Sequence, residues 1–390
     1  MPDIFGLDEE RPPMIGELSE GIIAKMDDCR LPLGIHFGLD EEKYHADPAL
    51  GSTSIVKLAT APVLFQYERM RPEERVQTEA MTFGKAFHCR LLEGKEAFEE
   101  RYAEPPKPSD YKGALTTTDS VKDFLRQHGQ KLTGNKPDLI ARAKEIDDCP
   151  PIFDEILASW HEEHPDYEML TPKQVKQVED AIELMERDPI LRAVMTAGSL
   201  SGGAPEMSVI YEQDGIRRKC RFDYPLAPTA TRPNALIVDA KAFSTFKGAT
   251  DEDAAIRKIY DMFYDIQGKY YLQGRIAARK LFRQGKIFGD GPSPDFLEHF
   301  LFAEQVDWVW VMIRRDKGLV PVVISVAGDD EMLNDMEPVI QHALETYSFY
   351  MSEFGPDQLW SPPPRKPLRL NKSFLPTYNR GILHEQPANR

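Results

Sequence analysis

The sequence predicts an α/β protein: a central mixed β-sheet flanked by helices, with a helical N-terminal part and a small helical insertion. Three observations lead there. First, short β-branched and aromatic runs recur in the second half (EMSVIYEQ, RRKCRFDYPL, NALIVDAK, VDWVWVMIR, LVPVVISVA), bounded by Pro, Gly or polar clusters, as strands are. Second, turn residues link them: Asp214-Gly215 joins the first two runs as a hairpin, and Lys317-Gly318 the last two. Third, helical periodicity fills the intervals. It is clearest in TPKQVKQVEDAIELMER, where Val175, Val178, Ile182 and Met185 share a face behind a capping Thr171 and Pro172.

At 390 residues the chain suffices for one large core or two domains, and 41% hydrophobic with 29% charged residues fits a soluble globular protein. No apolar run is long enough to cross a bilayer, so no membrane partner is expected. The first residues, MPDIFGLDEERPPM, lack the basic-then-apolar pattern of a secretion signal. Cys29, Cys89, Cys149 and Cys220 form no CxxC pair, which speaks against a zinc knuckle or a disulfide framework. They read as reduced thiols of a cytoplasmic protein. The net charge of −16 argues against a general nucleic-acid coat, because phosphate binding needs basic surface. Basic residues are concentrated locally instead: six Lys/Arg against three Asp/Glu over 120–146, and six against one over 361–390.

Taken in order, residues 1–43 are rich in Pro, Gly and acids and are expected to form an irregular leader. Residues 44–105 are a helical part. Ser52 or Ser54 caps a short helix ending near Ala59, Pro62 starts the next, and MTFGKAFHCRLLEG sets Phe83, Phe87 and Leu91 at helical spacing before Gly94. A Pro/Ser/Thr/Gly-rich linker over 103–118 leads to a helix–turn–helix unit at 119–147. Its two apolar stripes are Val121, Phe124 and Leu125, then Leu139, Ile140 and Ala143. The main body is expected over 150–355 and a basic, Pro-rich tail over 356–390. Within the body, His161 and His164 do not match HExxH spacing and read as an exposed acidic turn. Glu206 opens the first strand, Thr250 caps a helix to about Tyr264, a second helix continues to Phe282, and a last one covers roughly 329–354.

The chemistry gathers at two strand ends. Asp223 closes one run and Asp239 the other, and Lys241, two residues on, leaves the same face of its strand as Asp239. Such a trio is either a surface salt bridge or a site in which paired carboxylates hold a hard divalent cation while the lysine orients a water or stabilises phosphate charge. His88 lies one helical turn after Gly84, whose missing side chain would let a backbone or ligand approach that face. Gln267 and Tyr271 are also one turn apart and face the same way.

With these pieces in order, the sequence resembles phage and prophage exonucleases of the RecE (exodeoxyribonuclease VIII) type, in the RecB-like branch of the PD-(D/E)XK nuclease superfamily. The similarity runs collinearly from Tyr44 to about Arg283, through YHADPALGSTSIVKLATAP, TFGKAFHCRLLE, PDYEMLTPKQVKQVEDAIELMERDPILRAVM, PEMSVIYEQDGIRRKCRFDYPL with LIVDAKAFST, and YDIQGKYYLQ. One departure is that Phe222 stands where the motif's name has proline. The resemblance implies a PD-(D/E)XK core that hydrolyses double-stranded DNA from its ends, leaving single-stranded tails for recombination. It implies Asp223 and Asp239 as ligands of Mg²⁺ or Mn²⁺, two ions in all, with the Ala240 carbonyl, Glu206 and His88 as further ligands. Lys241 would activate the water, and Gln267 and Tyr271 would steady the lysine and the scissile strand. The 119–147 unit resembles a SAP module, a helical DNA-binding hairpin; Lys131 and Lys136 there, and Arg221 before Asp223, are the expected DNA contacts. A ring-shaped homo-oligomer and a single-strand annealing protein are the implied partners, in host cytoplasm if the chain is phage-encoded. An iron–sulfur relative is excluded because no cysteine follows Cys220. An endonuclease or nickase, or a non-catalytic DNA-binding protein, are the rival functions on the same core.

Overall fold

The computed structural model describes residues 29–71, 79–103, 106–164, 167–316 and 318–362. Strand β1 (Gly34–His36) is followed by helices α1 (Glu41–Ala46), α2 (Ser52–Thr60), α3 (Pro62–Met70), α4 (Glu79–His88) and α5 (Lys95–Arg101). Next come β2 (Tyr102–Ala103), α6 (Thr118–Gln127), α7 (Lys136–Lys144), α8 (Phe153–Glu163), β3 (Glu168–Met169) and α9 (Pro172–Arg187). The short hairpin of β4 (Met195–Thr196) and β5 (Ser199–Leu200) precedes β6 (Met207–Gln213), β7 (Ile216–Phe222), β8 (Tyr224–Leu226) and β9 (Ala235–Phe243). Helices α10 (Asp251–Asp261) and α11 (Tyr264–Arg283), strand β10 (Ile287–Phe288) and helix α12 (Pro294–Phe302) lead to β11 (Val306–Arg314) and β12 (Val320–Ala327). Helices α13 (Glu331–Asn334) and α14 (Glu337–Phe354) end the described chain.

The protein is α/β with mixed sheets, but the expected single central sheet is two four-stranded ones, ordered β10-β1-β6-β7 and β12-β11-β9-β8. The chain leaves the first sheet at Phe222 and enters the second at Tyr224, so Asp223 is the bend between them. The runs that carry Asp223 and Asp239 therefore pair only over Tyr224–Leu226, in register Tyr224 with Val238. Strand β9 runs parallel to β11, with Asp239 opposite Trp310. Being covered on both faces, β11 reads as an almost unbroken apolar run, and Trp308 and Trp310 are fully buried.

Helix α11 is the pillar behind the site. It can lie close to β7 because Gly274 faces Cys220: a Cβ there would stand 2.4 Å from the Cys220 sulfur, well inside contact distance. The apolar set Tyr270, Ala278 and Leu281 then joins the main core. A second core lies across the other sheet, where Phe83, Phe87 and Leu91 meet Val178, Ile182 and Met185 of α9. The unit formed by α6 and α7 has a small core of its own, Val121, Phe124, Leu125, Leu139 and Ala143, closed by Leu115 and Ile152 from its two flanks.

Several expectations need correction. The leader is not irregular to residue 43, since Gly34–His36 is a strand between β6 and β10 and Asp40 caps α1. The cap of α2 is Gly51 rather than a serine. His161 lies in α8 and His164 stacks on Trp160 at its end, not in a turn. Glu206 precedes β6, and the last helix is broken at Asp335 and Met336. Helix α12 was not foreseen; its signal is Ser293 before Pro294 and an apolar face. Residues 1–28 of the leader and 363–390 of the tail lie outside the described residues, while the tail's Trp360 is buried on Phe65 and Tyr350.

One buried ion pair ties the N-terminal segment to β7. Asp47, with a fully buried carboxylate, accepts from Arg217 at 3.1 and 2.5 Å and from the backbone N–H of Leu31 and Ala49 at 2.8 Å each. Burial alone would raise the Asp47 carboxyl, but these donors hold it below its ordinary value. Asp47→Ala should cost about 3 kcal/mol, the usual effect of breaking a buried pair. Because the folded value is depressed, this stabilisation is complete above the unfolded value, near about 3.9, and is lost as pH falls through the folded one. Urea unfolding at neutral pH should show the full gap between wild type and variant, narrowing in acid. An equal gap at both pH values would contradict the assignment.

Candidate active site

Asp223 sits where the β8 ladder runs out. Beyond Tyr224 the β9 backbone has no strand partner on that side, and the N–H of Ala240 is taken by Asp223 Oδ2 at 2.9 Å. The Asp223 carbonyl in turn accepts the N–H of Glu206 at 2.9 Å. Glu206 adopts a φ of 52°, rare for a residue with a side chain, and this turns its carboxylate toward Asp223 and His88. Ligand atoms of His88, Glu206 and Asp223 all lie within 4.8 Å of one another.

Asp239 is 1% exposed on β9. Its Oδ1 accepts from Lys241 Nζ at 2.7 Å and from Gln267 Nε2 at 3.0 Å. Its Oδ2 is buried and has no hydrogen-bond partner among the described residues. Burial raises the Asp239 carboxyl to about 7, with the neighbouring Asp223 charge adding to it and Lys241 opposing it. Glu206 is likewise pushed up to about 8, by burial first and Asp223 second. Lys241 Nζ stands 3.8 Å from Asp223 Oδ2 and 5.2 Å from the centre of the Tyr264 ring. Burial would lower Lys241, but the Asp239 and Asp223 carboxylates outweigh it and hold the ammonium charged.

His88 closes the cluster from α4, where the helix widens into a π-turn over Cys89–Glu93, a distortion common at functional sites. Its Nε2 meets the Ala240 carbonyl at 2.5 Å and its Nδ1 lies 3.7 Å from Asp223 Oδ2. A carbonyl only accepts, so Nε2 carries the proton and Nδ1 presents its lone pair to the carboxylates. Burial holds His88 below its ordinary value, in keeping with a neutral ring. The donor set is thus one imidazole nitrogen and the carboxylates of Glu206 and Asp223, with the unpartnered Oδ2 of Asp239 on the adjoining strand. It fits a divalent cation.

The structure brings His88, Glu206, Asp223, Asp239, Lys241 and Gln267 together, with amendments to the expected roles. The Ala240 carbonyl accepts a hydrogen bond from His88 of the cluster. Gln267 holds Asp239, not the lysine. Tyr271 is 8% exposed and packs edge-on against Phe222 and Trp308, one layer behind the carboxylates. Arg221 is turned inward: it donates to Ser208 Oγ and the Leu39 carbonyl at 2.8 Å each, covers the Tyr44 ring, and lies 3.6 Å from Glu206. That placement suits orienting Glu206 better than contacting phosphate. Lys131 is exposed on the α6–α7 unit, and Lys136 pairs with Asp154 at 2.6 Å. An added Cβ at Gly84 would meet nothing within 4 Å, so that glycine is not required by packing. Sequence reasoning missed Tyr264, which lies three residues before Gln267 on the same helix face, and Glu41, which pairs with Lys85 at 3.1 Å and whose charge reaches His88 and Glu206.

Fold and site together define an α/β protein with a carboxylate–lysine–histidine cluster where one strand crosses between two sheets. No family model matches the chain, and no curated protein matches it. Among solved structures, a protein of Eubacterium rectale named provisionally as an exonuclease aligns over 70% of this chain and 88% of its own, at 14% identity and a TM-score of 0.29. A second, the protein SSO0001, aligns over 61% and 77% at 10% identity and a TM-score of 0.22. Likenesses of that size decide nothing about function; the geometry must.

Proposed function

We propose that the protein is a divalent-metal-dependent deoxyribonuclease with a PD-(D/E)XK-type site, acting on double-stranded DNA from its ends. The observation that carries this is the cluster of His88, Glu206 and Asp223, whose ligand atoms lie within 4.8 Å of one another, joined through the Lys241 ammonium to Asp239, whose buried Oδ2 has no partner among the described residues. An unpaired buried carboxylate oxygen is costly unless something binds it, and a cation is the partner this donor set favours. His88 Nδ1, Glu206, Asp223 and Asp239 would hold Mg²⁺ or Mn²⁺, a nitrogen ligand suiting Mn²⁺ better. The ion would supply Lewis-acid activation of water and of a phosphate oxygen.

The chain's own residues do the rest. Lys241 Nζ, kept protonated by two carboxylates, can donate to an attacking water or to a phosphate oxygen as negative charge develops. Gln267 fixes the Asp239 carboxylate through Oδ1 and leaves Oδ2 to the ion. The Ala240 carbonyl fixes the tautomer of His88, as outer partners of ligating histidines do. The Tyr264 ring lies 5.2 Å from the Lys241 ammonium and can stabilise its charge. Lys131 and Lys136 would meet DNA at the α6–α7 unit. A ring of subunits around the duplex would explain how an acidic chain retains its substrate.

Linear and covalently closed circular duplexes of one sequence, incubated with Mg²⁺ or Mn²⁺, test the reading. Linear DNA should be consumed and the circle left intact. Nicking or linearisation of the circle would make the enzyme an endonuclease; inertness toward both would remove the nuclease assignment.

A further inference from the structure

We propose that Lys85 of α4 holds the phosphate next to the scissile one in the substrate strand, and that Gly84 leaves room for that strand to pass; this rests on the nuclease assignment above. Gly84 and Lys85 lie four and three residues before His88, so one face of α4 carries all three. Their place beside the cluster follows from the helix itself. His88 is the last residue of α4 and a member of the cluster.

The glycine marks the approach. Inside a helix it is less favourable than alanine, because it has more backbone freedom to lose. Packing explains Gly274, where a Cβ would stand 2.4 Å from the Cys220 sulfur. It does not explain Gly84, where a Cβ would meet nothing within 4 Å among the described residues. Backbone conformation does not explain it either, since Gly84 is not among the residues of positive φ. The helix is therefore bare one turn from the cluster, where a sugar–phosphate chain can lie against it.

Charge singles out Lys85. A strand with one phosphate at an acidic cluster needs a cation for the next. Among the described residues of α4, β7 and β9, the other cations are already committed. On β7, Arg217 is bound to Asp47 and Lys219 donates to the Tyr44 and Asp47 carbonyls at 2.6 and 2.7 Å. Arg218 is 3% exposed, and Arg221 is held by Ser208 and the Leu39 carbonyl. On β9, Lys241 lies between Asp239 and Asp223. In the π-turn after α4, Arg90 is buried on Glu179 and the Gly198 carbonyl. Lys85 pairs with Glu41 at 3.1 Å, and the two side chains are 33% and 48% exposed. So exposed a pair is weak, and a phosphate can displace its acid. The charge of Glu41 reaches His88 and Glu206, which sets the pair at the rim of the cluster. In the free protein Glu41 thus occupies the cation that the substrate takes.

The test measures binding of a fluorescein-labelled linear duplex to full-length protein in a chelator, over a range of salt concentrations. Lys85→Ala should weaken binding and lower the slope of log affinity against log salt by about one. Glu41→Gln should act in the opposite direction, tightening binding about two- to fivefold, the size of an exposed ion pair. Most of that gain should vanish when Lys85→Ala is also present. Gly84→Leu should melt at or above wild type, since the helix gains, and yet bind DNA less tightly. A pair that merely ties α1 to α4 would instead make Lys85→Ala and Glu41→Gln behave alike. That result, or an unchanged salt slope in Lys85→Ala, or wild-type affinity in Gly84→Leu, would overturn the proposal. Binding with the expected signs by a protein that cleaves nothing with Mg²⁺ or Mn²⁺ would remove the nuclease assignment and leave the contact standing. Cleavage by wild type with binding indifferent to all three substitutions would do the opposite, and a protein that neither binds nor cleaves the duplex would remove both.

Discussion

Asp239→Asn should lower divalent-dependent DNA hydrolysis by about 10³-fold, the size of losing several kcal/mol of metal-supplied charge stabilisation. Asparagine keeps the shape of the side chain and an oxygen for Lys241 and Gln267, so the surrounding contacts at 2.7 and 3.0 Å survive. What disappears is the anionic oxygen that no protein group satisfies. The substitution should not unfold the protein. A carboxyl that burial has pushed up to about 7 is already costly to ionise, and removing its charge relieves that cost. Thermal unfolding of the metal-free variant should therefore match or exceed wild type. Retention of more than about a tenth of wild-type activity, a loss under 1.4 kcal/mol, would exclude Asp239 as a central ligand.

His88→Ala should cost about 10–100-fold in activity, the range for ligands and their close supports in metal sites, with little change in melting temperature. The ring meets the Ala240 carbonyl and lies 3.7 Å from Asp223, while Phe83 and Phe87 of the same helix anchor α4 in the core. Removing it leaves the apolar packing in place. Because nitrogen is a better ligand for Mn²⁺ than for Mg²⁺, the defect should be larger in Mn²⁺ than in Mg²⁺. A merely structural histidine would show the reverse: lower stability, preserved activity per folded molecule, and the same loss with either metal.

Much of the site was legible because it rests on local rules. Period-two geometry put Asp239 and Lys241 on one face, and they are in contact at 2.7 Å. The 3.6-residue period made α9 plain, and Val178, Ile182 and Met185 of its expected stripe are buried. What was not legible depends on long-range pairing. Nothing in RRKCRFDYPL shows that the strand changes sheets at Asp223, because both halves have the same β-rich composition. β1 escaped notice since three residues, Gly34–His36, give no periodicity; only β6 and β10 on either side make them a strand. The tautomer of His88 and the engagement of the Ala240 carbonyl follow from a contact across 152 positions. Tyr264, by contrast, could have been found, since it precedes Gln267 by three residues on one helix.

His88, Glu206 and Asp223, with Asp239 joined to them through Lys241, are proposed to hold a divalent cation. Calorimetric titration of Mn²⁺ into metal-free full-length protein tests that proposal most directly. Wild type should bind, and Asp239→Asn and Glu206→Gln should each lose about 10-fold or more in affinity. His161→Ala, a histidine on α8 outside the cluster, should bind as wild type does. Equal Mn²⁺ affinity in wild type and Asp239→Asn would contradict the account.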